Sequence, residues 1–176
     1  VISSEFDRVL LGGSLPRYLF GANISASYKN FDFGMVIQGV AKQTALLTEE
    51  MVRPLRAQWY NIPDFVDGNY WSVYRTAAQN AAAKYPRLSD ATGDNNYAMS
   101  DYWLFDGSYL RIKNISLGYT FDHVFGQKSL VKGARLYTNI TDYFTFSKYP
   151  KGWDPEVRRT GYPITKSIVF GLSVKL

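Results

Sequence analysis

The sequence predicts an all-β protein, a segment of an antiparallel transmembrane β-barrel with a long, partly helical loop. Two observations carry this prediction. Five stretches alternate apolar and polar residues with a period of two, which is typical of strands whose two faces meet different surroundings. The connections between them are in turn short, long, short and long. An antiparallel sheet built this way has tight turns at one end and long loops at the other, as outer-membrane barrels do.

The first two strands form a predicted hairpin. The alternating stretches RYLFGANISASYK and FDFGMVIQGVA are separated only by Lys29 and Asn30. A two-residue connection between alternating stretches indicates a β-hairpin.

A long insert without alternation follows, over residues 42–107. TEEMVRPLRAQWY has a Thr48 cap and helical spacing until Pro54, and YWSVYRTAAQNAAAKYP is also predicted to be helical, ending before Pro86. An insert of this length with helix of its own is usually a functional loop, and we predict an extracellular one.

Alternation returns in the last three stretches, YLRIKNISLGYTF, ARLYTNITDYFTF and TKSIVFGLSVKL. The connection over 147–164 is rich in Pro, Gly and charge, and it is the second predicted extracellular loop. The lead-in over residues 1–15 is predicted to come from another extracellular loop, and residues 16–176 to form the barrel portion.

The two faces of these strands differ in chemistry. One is almost uncharged and rich in small polar residues, which suits a wet lumen: Asn23, Ser25, Ser27, Gln38, Asn114, Ser116, Asn139, Thr141 and Ser173. The other is apolar, with aromatic residues towards the strand ends, as expected of a wall that faces lipid: Phe20, Ile24, Met35, Ile37, Leu117, Phe170 and Leu172, with Tyr28, Phe31, Tyr119 and Phe121. A soluble β-sandwich alternates in the same way, so the pattern alone leaves that fold open.

Two cations interrupt the apolar face of YLRIKNISLGYTF. Arg111 and Lys113 have the same odd numbering as Ile115 and Leu117. If the last strand runs towards the periplasm, this strand does too, and Arg111 lies near the outer rim. A lipid-facing cation there costs about 0–1 kcal/mol, against about 2–4 kcal/mol at the midplane. We therefore predict that Arg111 and Lys113 are outer-rim cations, with Lys113 snorkelling upward.

Composition argues against several other functions. The chain has no Cys and one His, His123, so it offers no thiolate or His-rich metal site. Its net charge of +5 comes from scattered cations, whereas a nucleic-acid site needs a clustered basic stripe. The paired carboxylates are explained as solvated loop charges or helix-start acids, and no catalytic residue is predicted: Glu49 and Glu50, Asp64 and Asp67, Asp154 and Glu156. Asp90 and Asp94 lack EF-hand spacing, so a plain polar loop is favoured over a calcium site and no cofactor is predicted.

Aromatic residues in the predicted extracellular loops are the best candidates for contacts with a ligand or a lid. They are Trp59, Tyr60, Trp71, Tyr74, Trp103 and Trp153. Aromatic faces stack on sugars and anchor protein interfaces, and the alternative is that these residues pack the loop itself. In the last strand, Gly171, Val174 and Leu176 have the G-x-x-Φ-x-Φ spacing that resembles an outer-membrane assembly signal.

Several spaced motifs resemble the SusC/RagA family of TonB-dependent outer-membrane transporters of Bacteroidetes. They are SDYWLFDGSYLRIKNISLGYTF, PRYLFGANISASYKNFDFGMVIQGV, KYPRL, LYTNITDYFTFSKYPKGWDPEV, GYP and FGLSVKL. The resemblance covers nearly all of the chain after about residue 11. One departure is TDYFTF, where QNLFTF is common in the family.

The resemblance implies that these are the last five strands of a 22-stranded barrel in the outer membrane of a Gram-negative bacterium. It also implies partners: an N-terminal part with the plug and other strands, a SusD-like lipoprotein, the TonB complex and outer-membrane lipids. The implied function is import of oligosaccharides or oligopeptides. The alternative is a secreted β-sandwich that acts as a carbohydrate-binding or adhesive module. The sequence does not distinguish glycan from peptide.

Overall fold

The computed structural model describes residues 5–48, 53, 61–89, 95–122, 130–157 and 161–176. The chain divides into two compact units. The loop unit comes from residues 1–15, 43–106 and 149–153, and the sheet unit from residues 16–42, 107–148 and 154–176.

The sheet unit is one five-stranded sheet in the order β1-β2-β5-β6-β7, and every neighbouring pair is antiparallel. Its strands are β1 Tyr18–Tyr28, β2 Phe31–Ala41, β5 Tyr109–Asp122, β6 Gly133–Ser147 and β7 Ser167–Lys175. The five predicted strands and their antiparallel arrangement are therefore confirmed. Because consecutive strands reverse direction, the connections over 42–108 and 148–166 both leave from the same end of the sheet, and the short connections from the other.

The β1–β2 turn is tied to the third strand of the sheet. Lys29 has a φ of 53°, which lets the chain reverse in two residues between Tyr28 and Phe31. The Asn30 side-chain amide donates to the Thr120 carbonyl at 2.6 Å, and the Thr120 amide donates to the Asn30 carbonyl at 2.8 Å. These two bonds fix the register between the hairpin and β5.

A β-bulge in β5 changes which residues share a face. Val36 pairs with Asn114 but the next residue, Ile37, pairs with Ile112, so Lys113 is an extra residue in β5. Side chains alternate along a strand, so one extra residue moves everything upstream to the opposite face. Arg111 therefore lies opposite Gln38 on the polar face. The prediction that Arg111 shares the apolar face with Ile115 is wrong, because the extra residue Lys113 breaks the alternation on which it rests.

With the bulge included, one face of the sheet carries all the charged residues at its paired positions and the other carries none. Every charged residue among the register-paired positions lies on the polar face, so the expectation that this face is almost uncharged is wrong. These residues are Asp32, Arg111, Asp122, Arg135 and Lys175. The apolar face carries no charge at its paired positions, which include Ile112, Ile115, Leu117 and Phe144.

The apolar face is exposed and has aromatic residues at both ends. Phe170 is 76% exposed and Leu172 is 66% exposed, and the described part of the unit contains no second sheet to cover them. At the short-turn end, Tyr119 packs edge-on against Phe31 and Phe121 with ring centroids 4.5 Å apart in each pair. Aromatic residues also stand on this face at the long-loop end: Tyr18, Phe144 and Phe146.

The loop unit contains short elements. β3 Thr44–Leu46 pairs with β4 Leu104–Asp106, α1 spans Ala77–Ala82, and two 3-10 helices span Asn95–Tyr97 and Asp101–Trp103. The helix predicted in TEEMVRPLRAQWY falls mostly outside the described residues. In the described parts of the chain, no helix is long and apolar enough to cross a membrane.

The second predicted helix is shorter than expected. It starts after Thr76, whose hydroxyl accepts from the Gln79 amide at 3.3 Å while the Gln79 side chain accepts from the Thr76 amide at 3.0 Å, a capping box. Upstream, the Asn80 side chain bonds the backbone of Ser72 at 2.9 and 3.0 Å, which holds that segment outside the helix.

Stacked aromatic rings form the core of the loop unit. Trp103 is 3% exposed and lies between Tyr85 and Tyr97, with centroid distances of 6.1 and 5.8 Å and interplanar angles of 16° and 13°. Its indole Nε1 donates to the Asn96 carbonyl at 3.0 Å, so its one polar group is satisfied. Burial raises the pKa of Tyr85 and of Tyr102, so both phenols stay neutral at physiological pH.

Truncation of Trp103 should open the loop unit. We expect Trp103→Ala to lower its free energy of local opening by about 3–5 kcal/mol, because a large side chain leaves a cavity in a packed core. Hydrogen exchange on the full-length protein measures this. Tyr74→Ala is the matched control, since Tyr74 is 97% exposed and its removal should change the opening free energy by less than about 0.5 kcal/mol. Equal effects of the two substitutions would contradict the assignment of Trp103 to the core.

The packing between β6 and β7 can be tested at Gly171. The Tyr137 ring of β6 lies against Gly171 and occupies the space that a Cβ atom would need. We expect Gly171→Ala to reduce the heat-resistant folded fraction on gels, and Tyr137→Ala to restore it in the double variant. Rescue would show that Gly171 is needed for packing. Failure of the rescue would instead favour Gly171 as part of the predicted assembly signal.

Candidate functional site

A buried guanidinium lies on the polar face near its long-loop end. The Arg111 side chain is 3% exposed, and its Nη2 donates to Asp154 Oδ1 at 2.8 Å. Its Nε donates to the Thr145 hydroxyl at 2.9 Å and lies 3.4 Å from Glu156 Oε1. Arg111 therefore joins β5, β6 and the connection that follows β6.

The bulge residue Lys113 extends this network. Its Nζ lies 2.8 Å from Asp142 Oδ1 and 3.0 Å from Glu156 Oε2. Asp142 sits at an irregularity of β6 and has a φ of 52°, a left-handed conformation that Asp adopts more readily than most residues. The irregularities of two neighbouring strands thus bring a cation and a carboxylate together.

Asp154 organises the turn that carries Glu156. Its Oδ1 also accepts the Glu156 amide at 2.9 Å, and its Oδ2 accepts the Ile164 amide at 3.3 Å. Burial acts to raise the pKa of Asp154, but the Glu156 amide, Arg111 and the Ile164 amide outweigh it and hold the pKa below its usual range. The carboxylate is therefore ionised at neutral pH. Its contribution to stability is full above the ordinary Asp pKa and is lost as pH falls through the lowered value.

These contacts form an ion cluster of two cations and three carboxylates. Its members are Arg111, Lys113, Asp142, Asp154 and Glu156. The side chains of the three carboxylates are 10–13% exposed, so these charges depend on one another rather than on water. Removing one partner of a buried pair leaves an uncompensated charge, which typically destabilises by about 3–5 kcal/mol. These carboxylates enclose Arg111, so its side chain does not face water as the rim prediction expects. Lys113 is 27% exposed, and the height of both cations in a membrane stays a prediction.

A second ion pair crosses the polar face near the short turns. Arg135 of β6 reaches over Gly118 of β5 to Asp32 of β2, with an Nη2–Oδ2 distance of 2.6 Å and an Nε–Oδ1 distance of 3.1 Å. The two side chains are 41% and 40% exposed. Water screens this pair, so it contributes less than the ion cluster.

The structure separates the predicted aromatic contacts into two kinds. Trp103 is core, and Trp153 packs against the same cluster, so for these two the packing alternative holds. Tyr74 is almost fully exposed and Trp71 is 40% exposed, so both remain candidates for binding. Trp59 and Tyr60 lie outside the described residues.

The remaining predicted groups are the carboxylate pairs, the possible metal ligands and the assembly-signal residues. Asp154 and Glu156 are occupied by Arg111 and Lys113, which leaves no free carboxylate pair there. In the described residues, no group of three or more His, Asp or Glu side chains is arranged so that it could hold a metal ion. The residues His123, Glu49, Glu50, Asp90 and Asp94 lie outside those that the structure describes. Val174 is exposed on β7 and Leu176 is exposed just after it, and their role in assembly stays a prediction.

Comparison with known proteins identifies relatives over nearly the whole chain. No family model matches. TonB-dependent receptor P3 of Formosa agariphila is 27% identical over 98% of this chain, and TonB-dependent receptor SusC of Bacteroides thetaiotaomicron is 30% identical over 89% of it. The chain spans only 18% and 15% of the lengths of these relatives.

Solved structures agree on the fold. The RagAB peptide importer in its open-open state matches with a TM-score of 0.69 at 20% identity, covering 100% of this chain and 19% of that one. The RagAB peptide transporter matches with a TM-score of 0.71 at 21% identity, covering 99% and 19%. These relatives are named as receptors and importers rather than as enzymes, in line with the prediction. The chain is therefore a SusC/RagA-like sequence, homologous to TonB-dependent receptors over most of its length, as its motifs predict.

Proposed function

We propose that this chain is part of a TonB-dependent outer-membrane transporter that imports oligosaccharides or oligopeptides together with a SusD-like lipoprotein. The observation that carries the proposal is that all charged residues at the paired positions of the sheet lie on one face and none on the other. The similarity to TonB-dependent receptors supports it.

The dimensions and chemistry of the apolar face suit a bilayer. β1 has 11 residues. At about 3.3 Å per residue and a tilt of about 45°, such a strand crosses roughly 25 Å, which is the height of the apolar band of outer-membrane barrels. An exposed apolar surface without charge is unfavourable in water, and it is stabilised when lipid tails cover it.

The polar face suits the wall of a water-filled or plugged lumen. It carries hydroxyl and amide side chains together with the paired ions, and such polar groups are costly to place against lipid. The long connections then lie on the extracellular side, where Trp71 and Tyr74 are available to a substrate or to the lipoprotein.

Both substrate classes remain in the proposal. One solved relative is a peptide importer by its own description, and another relative is SusC. The exposed aromatic side chains fit sugar rings and peptide side chains alike.

Neighbouring residues of β1 provide a direct test of the two faces. In the full-length transporter with no other reactive cysteine, Ser25→Cys should react with a charged, membrane-impermeant thiol reagent, because Ser25 lies on the polar face. Ile24→Cys should react only with a lipid-soluble reagent, because Ile24 lies on the apolar face and is 44% exposed. Equal reaction of both positions with the charged reagent would contradict the membrane assignment.

Uptake in the native host tests the transport function. Deletion of the full-length gene should abolish uptake of one class of labelled oligomer, glycan or peptide, and affinity purification should recover a SusD-like lipoprotein with the tagged protein. Unchanged uptake of both classes, with no lipoprotein recovered, would reject the proposed function.

A further inference from the structure

Part of the β6–β7 connection, residues 154–157, lies against the polar face rather than pointing away from the sheet. Within residues 154–157, Asp154 and Glu156 both reach side chains of β5 at hydrogen-bond distance: Asp154 at 2.8 Å from Arg111 and Glu156 at 3.0 Å from Lys113. Because Arg111 is on the polar face, the segment that it holds covers that face at the long-loop end.

We propose that Arg111 and Lys113 fasten residues 154–157 to the polar face, and that the fastened segment narrows the aqueous passage at the extracellular end. The narrowing rests on the proposed function, because it takes the polar face as the wall of the lumen. The fastening does not, because it follows from the contacts alone.

Three features of the ion cluster support the fastening of residues 154–157. Both cations come from one strand, and the bulge directs them towards the same segment. Asp154 also accepts hydrogen bonds from the amides of Glu156 and Ile164, so loss of its contact with Arg111 would disturb the connection at two further points. The side chains involved are largely dry, which strengthens their electrostatic attraction.

Asp142 is the member of the ion cluster whose charge can be removed with the least change to the backbone. Its carboxylate lies 2.8 Å from the Lys113 ammonium. Asn also tolerates a positive φ, so Asp142→Asn removes the charge while keeping the backbone conformation.

The fastening is tested by the accessibility of a cysteine at Val157, which is half-buried. In the full-length protein carrying Val157→Cys, Arg111→Gln should raise the rate of maleimide labelling about tenfold or more, because hydrogen bonds to charged groups are lost. Glu156→Gln should also raise it, and that residue lies outside the strands, so the sheet can still form. Asp142→Asn should raise it less, because the contact between Arg111 and Asp154 remains.

Arg135→Gln is the matched control, since it removes the same group from the same face but breaks a pair within the sheet. Its labelling rate should equal that of the parent. Heat-modified migration on gels verifies that each variant is folded. An unchanged rate in folded Glu156→Gln would overturn the fastening, whether or not Arg111→Gln folds.

The narrowing is tested by reagent size. Gln38 is exposed on the polar face opposite Arg111, so Gln38→Cys reports access to this part of the passage. In the Glu156→Gln background, a bulky polymer-linked maleimide added from outside should label Gln38→Cys several-fold faster, while a small maleimide reacts at the parental rate. Equal bulky-reagent rates in both backgrounds would overturn the narrowing. Neither labelling assay depends on transport. Failure of the proposed function would therefore be seen in the uptake assay and not in the labelling rates.

Discussion

The sheet unit depends on one buried guanidinium. Arg111 has almost no contact with solvent, and a charge in that position requires carboxylates and hydroxyls arranged around it. Those groups come from β6 and from the connection after it, at separations of 34 and 43 residues along the chain. The need to compensate one cation therefore ties together strand register, the bulge at Lys113, the left-handed Asp142 and the path of the loop. Three of the motifs that carry the family resemblance, YLRIK, TDYFTF and WDPEV, meet at this point.

Much of the fold could be predicted because a strand with unlike faces has a period of two that is visible in the sequence. The five strands, their antiparallel order and the segregation of long and short connections all follow from alternation and spacing. The bulge could not be predicted by the same rule, because alternation assumes that no residue is extra. The signal was nevertheless present: Arg111 and Lys113 broke the apolar face. A cation out of phase with its neighbours indicates a bulge as readily as a rim position, and the pairing of Val36 with Asn114 and Ile37 with Ile112 distinguishes the two.

The candidate site was harder to predict than the fold. Asp154 and Glu156 stand out in the sequence as a carboxylate pair, but their partners Arg111 and Lys113 are each 43 residues away along the chain, and no spacing rule connects such distant residues. The loop aromatics illustrate the same limit. Trp71 and Trp103 have the same chemistry, yet one is part of the surface and the other is the centre of a stacked core. Only burial separates a side chain that binds a ligand from one that holds the loop together.

The bulge explains how the ion cluster and an uncharged apolar face occur in one sheet. It moves a cation off the apolar face, which we propose meets lipid, so that face stays free of charge at its paired positions and the cluster forms on the polar face. Spin-label accessibility at positions 112, 114 and 115 of the full-length protein in lipid tests this account most directly. The account predicts that labels at 112 and 115 contact oxygen dissolved in lipid, while the label at 114 contacts a water-soluble relaxant. A label at 112 that contacts the water-soluble relaxant would show an unbulged strand and would contradict the account.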